Sequence, residues 1–112
     1  MNTNLNPQEL VEALLKRSTC SVQVACVIAD RHGVFAWGHN HAGADGYGQC
    51  AEAHAISRAN PARLPLATLY VAARRKKSKR KVIAKPCVKC AQIVSKCHAV
   101  VWRNKEGNWC RY

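Results

Sequence analysis

A chain of 112 residues, 48% of them hydrophobic, is long enough to bury one core and too short to divide into two domains. Its 18 Lys and Arg against 6 Asp and Glu leave a formal charge of +12, more than solubility requires and of the sign that attracts phosphates, so a polyanionic or phosphorylated partner is expected. No apolar run approaches the roughly 18 to 20 residues that span a bilayer, and the polar start Met1 to Asn6 lacks the layout of a signal peptide, which points to a cytosolic protein with no membrane partner.

The first element is announced by Asn6-Pro7-Gln8-Glu9: a capping side chain, a proline at the first helical position and a glutamate three residues after the cap, ahead of the apolar stripe Leu10, Val11, Leu14, Leu15. This predicts a helix from about Pro7 to Ser18. The β-branched run Val22 to Ile28, turn chemistry at Asp30 to Gly33 and the apolar Val34 to Trp37 predict an antiparallel hairpin. Gly38 to Gly48 alternates glycines with polar residues and reads as a loop delivering the chain to Cys50. A second helix is expected over Cys50 to Ala59, stopped by Asn60-Pro61, and a strand over Thr68 to Ala72. Arg74 to Lys81 carries seven basic residues in eight and resists burial, so a protruding basic hairpin is expected over about 73–85. A third helix over Cys87 to Lys96, a strand Ala99 to Trp102, a turn at Asn104 to Gly107 and a short strand around Trp109 complete the order. Alternating strands and helices predict an α/β domain over 1–112, a mixed sheet with helices packed on it. Trp37 and Trp102, at strand positions, are expected in the core.

Seven cysteines cannot all pair within one molecule, and reduced thiols at close spacing point to metal or catalysis. Cys20, Cys26, Cys97 and Cys110 read as small buried hydrophobes. The informative words are Cys50-Ala51-Glu52 and Pro86-Cys87-Val88-Lys89-Cys90. Three thiolates, Cys50, Cys87 and Cys90, suit Zn2+ and leave a fourth tetrahedral position to water, the mark of a catalytic rather than a closed site. The metal lowers the pKa of that water to near neutrality, and Glu52, badly placed to ligate beside Cys50, is positioned to move its protons. If both motifs open helices, two helix N-termini help keep the thiolates ionised. Two alternatives stay open. His54, four residues after Cys50, could close the site as a fourth ligand and make the zinc structural, or it is a packed histidine. Cys87 and Cys90 could instead form a redox pair.

The paired motifs, separated by a strand, resemble the cytidine deaminase superfamily. Gly38-His39-Asn40 resembles the Gly-x-Asn with which that superfamily binds sugar, and Thr68-Leu-Tyr-Val resembles its central strand. The resemblance implies a three-layer fold around a five-stranded mixed sheet, homo-oligomers, and substrate contacts at Asn40, with Ala51 inside the first motif. Tyr47, in the glycine-rich loop, is a candidate wall of the pocket. Departures bear on the substrate. The family's free-nucleoside enzymes carry Asn-x-Glu where this chain has Ala42. Its deoxycytidylate and tRNA adenosine branches open the first motif with His where this chain has Cys50, and an insertion precedes Pro86.

The leading expectation is therefore hydrolytic deamination of cytosine to uracil in cytidine, deoxycytidine or their nucleotides, with the same chemistry on cytosine, or less favourably adenine, in single-stranded DNA or RNA as the alternative. Arg74, Arg75, Lys76, Lys77, Lys79, Arg80 and Lys81 are candidate phosphate contacts in either case, or a solvated arm that protects a sheet edge. A third expectation, from another class, is a basic nucleic-acid-binding module whose zinc is only structural.

Overall fold

The computed structural model describes residues 6–42, 48–84 and 88–111. Helix α1 (Pro7–Leu14) starts as its capping residues require: Asn6 Oδ1 accepts from the backbone N–H of Gln8 at 2.9 Å and of Glu9 at 3.4 Å. It tightens into a 3-10 turn over Leu15–Arg17 and ends as Ser18 turns extended. Strands β1 (Val22–Asp30) and β2 (Gly33–His39) form the expected hairpin, closed by the Asp30 carboxylate accepting from the His32 N–H at 2.9 Å and by Gly33 at φ 108°. Short strands β3 (His41–Ala42) and β4 (Gly48–Gln49) follow, then α2 (Ala51–Arg58) and a 3-10 turn Leu64–Leu66. The chain continues through β5 (Thr68–Arg75), β6 (Lys81–Val82), α3 (Val88–Val94), β7 (Ala99–Arg103) and β8 (Trp109–Arg111).

The main sheet runs β2-β1-β5-β7-β8, with β5 and β7 parallel and the other neighbours antiparallel, and β6 pairs with the far end of β5. This is the five-stranded mixed sheet expected, with one short strand added. Both faces are covered, which is why Ala25 to Ala29 are buried without alternation. On one face Val11, Leu14 and Leu15 of the first helical segment pack on Ala25, Val27 and Ala72. On the other, Ala51, Ala55 and Ala59 meet Cys26, Ile28, Leu69, Val71, Val94 and Val100. Small alanines on α2 let its backbone lie close to the sheet, and the result is three layers. Among the described residues no helix is long and apolar enough to cross a membrane.

Three expectations need correction. The glycine-rich stretch is not all loop: Gly38 and His39 finish β2, and His41–Ala42 pairs with Gly48–Gln49 in a separate two-stranded ladder. β5 runs on to Arg75 because Arg74 and Arg75 still find partners in Gln23 and Val22, so backbone pairing carries the strand into the basic run. Trp37 is 39% exposed rather than core. It lies on an edge strand, facing away from the interior that Ala36 enters, and the Arg58 guanidinium sits 5.2 Å from its ring centroid. Trp102, expected in the core, is partly buried and packs against it.

Candidate functional site

The site begins with a close approach. Gly38, at the end of β2, lies against the first turns of α2 so tightly that a Cβ there would meet the Ala55 nitrogen at 2.6 Å, the Ala51 carbonyl at 2.9 Å and the His54 Cβ at 2.9 Å. Only glycine lets the strand deliver the chain this close. It is the contact that sets the start of α2 over the end of the sheet.

Cys50 is the N-cap of α2, and its sulfur accepts from the Ala53 N–H at 3.4 Å. Ala51 is fully buried against the sheet. Glu52, one residue further into the same turn, is 5% exposed, and burial raises its carboxyl pKa from its ordinary value, opposed by its own backbone N–H. Beneath them lies Cys26 of β1, also fully buried. Burial raises its thiol, with the charges of Glu52, Cys97 and Cys50 adding to the effect, so the four groups share one region. Burial pushes the Cys97 thiol up to about 11. These two match the buried-hydrophobe expectation, whereas Cys20 and Cys110 are only partly buried. α3 packs on α2 and carries Cys90 in its first turn; Cys87 and Tyr47 lie outside the described residues. Of the three expected ligands, Cys50 is the one whose side chain is described, and its sulfur is of the soft kind that suits zinc.

Asn40 is clasped by the protein. Its Oδ1 accepts from Ser18 Oγ at 2.5 Å and from the Val24 N–H at 2.9 Å, and its Nδ2 donates to the Val22 carbonyl at 2.9 Å. Those bonds tie the β2–β3 junction to the start of β1. The network continues outward: Gln23 Nε2 donates to the Ser18 carbonyl at 2.8 Å, and Arg74 Nε donates to Gln23 Oε1 at 2.8 Å. Arg74 is therefore a structural member of the basic run.

The rest of that run forms a tight turn in which the Arg75 N–H donates to the Arg80 carbonyl and the Lys79 N–H to the Arg75 carbonyl, both at 2.9 Å, with Lys79 at φ 60°. Strand register shows where it projects. Ala25 pairs with His39 on one side and Ala72 on the other, and Val22 pairs with Arg75. The turn thus leaves the sheet at the end where β2 meets α2, about 10 Å beyond the level of His39 at the ordinary rise of a strand. Thr19, Ser21, Arg75, Lys76, Lys77 and Ser78 line a depression at its base.

Sequence reasoning passed over His39 and His41. Their rings and that of His54 come together at this same end, with centroids 5.0 to 5.9 Å apart. His54 is drawn below the usual imidazole range, first by burial, against a backbone contact to His39 that raises it, with Arg58, His41 and His39 lowering it further. The available signal was the spacing of two between His39 and His41, which in extended chain puts both side chains on one side.

The family model described as the cytidine and deoxycytidylate deaminase zinc-binding region matches residues 4–102. No curated protein matches. Among solved structures, a cytidine deaminase from Burkholderia pseudomallei is similar at a TM-score of 0.74 and 21% identity, covering 95% of this chain and 88% of that one. A cytidine deaminase from Mycobacterium leprae gives 0.61 at 18% identity over 93% and 88%. A mutant cytidine deaminase from Mycobacterium tuberculosis gives 0.60 at 12% over 87% and 81%. At these identities the likeness is one of fold.

Proposed function

Because the chain belongs to the family of the cytidine and deoxycytidylate deaminase zinc-binding region, we propose that it hydrolyses the exocyclic amine of cytosine, giving uracil and ammonia, in cytidine, deoxycytidine or their nucleotides. The observation that carries the reading is Glu52. It is a buried carboxyl in the first turn of α2, two residues after Cys50, and burial raises its pKa, the direction that suits a group which both takes and gives a proton. In this reading Cys50, Cys87 and Cys90 hold zinc, which when bound supplies the Lewis acidity that makes water nucleophilic at neutral pH. Glu52 takes the proton of the water that adds at C4, hands it to N3, and moves a second proton to the departing amine. Asn40, its loop already pinned by Ser18, Val24 and Val22, offers its second Nδ2 hydrogen to the sugar or base, and Ala51 and Tyr47 complete the pocket wall.

Mass-spectrometric detection of deamination on cytidine, deoxycytidine, their monophosphates and a cytosine-containing single-stranded oligonucleotide tests this, with Glu52→Gln as control. Turnover of the small molecules that vanishes in the control is the expected result. An active Glu52→Gln protein would sink the mechanism, and silence on every substrate would return the zinc to a structural role.

A second reading, the same chemistry in single-stranded DNA or RNA, is favoured by the register that sends the basic turn out of the active-site end of the sheet. Turnover of the oligonucleotide alone would decide for it. A homo-oligomer is part of this reading, and a monomeric sedimentation coefficient would refute it.

A further inference from the structure

Three histidines that the deamination chemistry leaves unused stand at the seam where β2, β3 and α2 meet. His39 closes β2, His41 opens β3 and His54 lies in the middle of α2. Each offers one ring nitrogen, and the three nitrogens all lie within 4.8 Å of one another. The rings meet edge to face, at interplanar angles of 69°, 79° and 88°, with centroids 5.0 to 5.9 Å apart.

Each ring has a backbone carbonyl within reach of its Nδ1. The Nδ1 of His39 lies 3.3 Å from the Asn40 carbonyl, that of His41 lies 3.2 Å from the His39 carbonyl, and that of His54 lies 3.2 Å from the same His39 carbonyl. A hydrogen bond from Nδ1–H to a backbone carbonyl is the usual outer support of a metal-bound histidine, because it settles the tautomer and leaves Nε2 with its lone pair. His54 Nδ1 also lies 3.2 Å from the His39 N–H, and coordination through Nε2 selects the form that donates to the carbonyl instead. The backbone is held independently of the rings. Asn40, between His39 and His41, is clasped by Ser18, Val24 and Val22; His41 pairs with Gln49; and Gly38 seats β2 directly on the turn that carries His54. Arg58, whose charge is felt at His54, is drawn over the Trp37 ring.

We propose that His39, His41 and His54 form a second metal site, separate from the thiolate centre, for a divalent transition ion that favours imidazole, such as zinc, nickel or copper. Three nitrogens around a tetrahedral ion at the usual Zn–N length stand ~3.3 Å apart, so the present spacing closes by side-chain rotation on a backbone already in place. Three neutral ligands impose no thiolate or carboxylate charge, and affinity should rise along the series from cobalt to copper. An ion here would tie β2 and β3 to α2 within one turn of Cys50. The site stands whether or not cytosine is the substrate.

Cobalt(II) titration of the full chain, stripped of metal beforehand, separates the two centres, since thiolate ligation gives an intense near-ultraviolet charge-transfer band and imidazole ligation does not. Wild type is expected to bind two ions per chain, only one of them with that band. His41→Gln, and independently His54→Gln, should bind one ion with the band intact. Cys90→Ser should lose the band and keep one ion. Circular dichroism and Tm establish that each variant is folded, and His39→Gln replaces any that is not. A single ion in wild type, two ions retained in the histidine variants, or loss of the thiolate band on changing His41 or His54 would each overturn the second site. Loss of Glu52-dependent turnover bears on the deaminase reading alone.

Discussion

Two regions leave the same end of the sheet and are built in opposite ways. At the start of α2 everything is tight: Gly38 touches backbone, Ala51 is fully buried, and Glu52 is withdrawn from water beside Cys26. At the β5–β6 turn, residues 76–81 are all exposed, held by the turn's own hydrogen bonds, by the pairing of Lys81 with Arg74 and by Lys76 N–H donating to the Ser21 carbonyl at 2.8 Å. The difference fits the roles proposed for each. Proton transfer needs a carboxyl whose pKa has been displaced by desolvation and whose position is over-determined by packing. Attraction of phosphates needs only charge in water, and works without a fixed geometry. Substitutions in the first region should therefore move chemistry or stability sharply, and those in the second should move salt dependence.

The largest effect is expected at Glu52. Glu52→Gln should lower kcat by about 10²- to 10⁴-fold, the range for loss of a positioned acid–base group. Its stability should move the other way. A buried acid with a raised folded pKa binds protons more tightly folded than unfolded, so it costs stability as pH climbs past the unfolded value. The Gln variant, measured without metal at neutral pH, should melt at or above the wild-type temperature. Next comes Gly38→Ala, which drives a methyl group into the α2 backbone and should cost about 1–3 kcal/mol in denaturant unfolding while also displacing Cys50 and Glu52. A Gly38→Ala protein of wild-type stability and activity would show that the close approach is dispensable.

Neutralising Lys76, Lys77, Lys79 and Arg80 together, with Arg74 left in place because it holds Gln23, should change stability by no more than about 0.5 kcal/mol. Cytidine turnover should persist, while the slope of log affinity for single-stranded DNA against log salt should shrink by about 0.7 for each phosphate that is no longer neutralised. An unchanged slope would make the arm a solvated edge. The smallest effect is expected far from the site, at the other end of the β1–β2 hairpin. There Asp30 accepts from Arg63 Nε and Nη2, both at 2.7 Å, and this pairing holds its carboxyl down to about 2. A depressed carboxylate contributes stability that is present above its unfolded pKa of about 3.9 and lost as pH falls through about 2. Asp30→Asn should flatten the Tm profile between those values and leave activity at neutral pH unchanged.

Local patterns were readable wherever short-range physics decides. Asn6-Pro7 opens α1 because capping is an interaction between neighbours, and Cys50 caps α2 with Glu52 in its first turn for the same reason. The hairpin of β1 and β2, the strand at Thr68 and the basic turn followed from alternation, turn chemistry and the cost of burying charge. What escaped reading depends on distant partners. Trp37 faces outward because β2 is an edge strand, a fact of strand order. Arg74 is spent on Gln23, 51 residues away. Glu52 and Cys97 come near Cys26 because β1, α2 and the turn before β7 converge.

The sequence by itself determined the helices, the strands β1, β2, β5, β7 and β8 of the main sheet and the pair of cysteine motifs, since each is written in residues a few positions apart. The tertiary structure alone decided that His39, His41 and His54 meet, and that the basic turn shares an end of the sheet with Glu52. Both depend on register and on the closeness of β2 to α2, which arise from packing across many residues of intervening chain and leave no local periodicity to read.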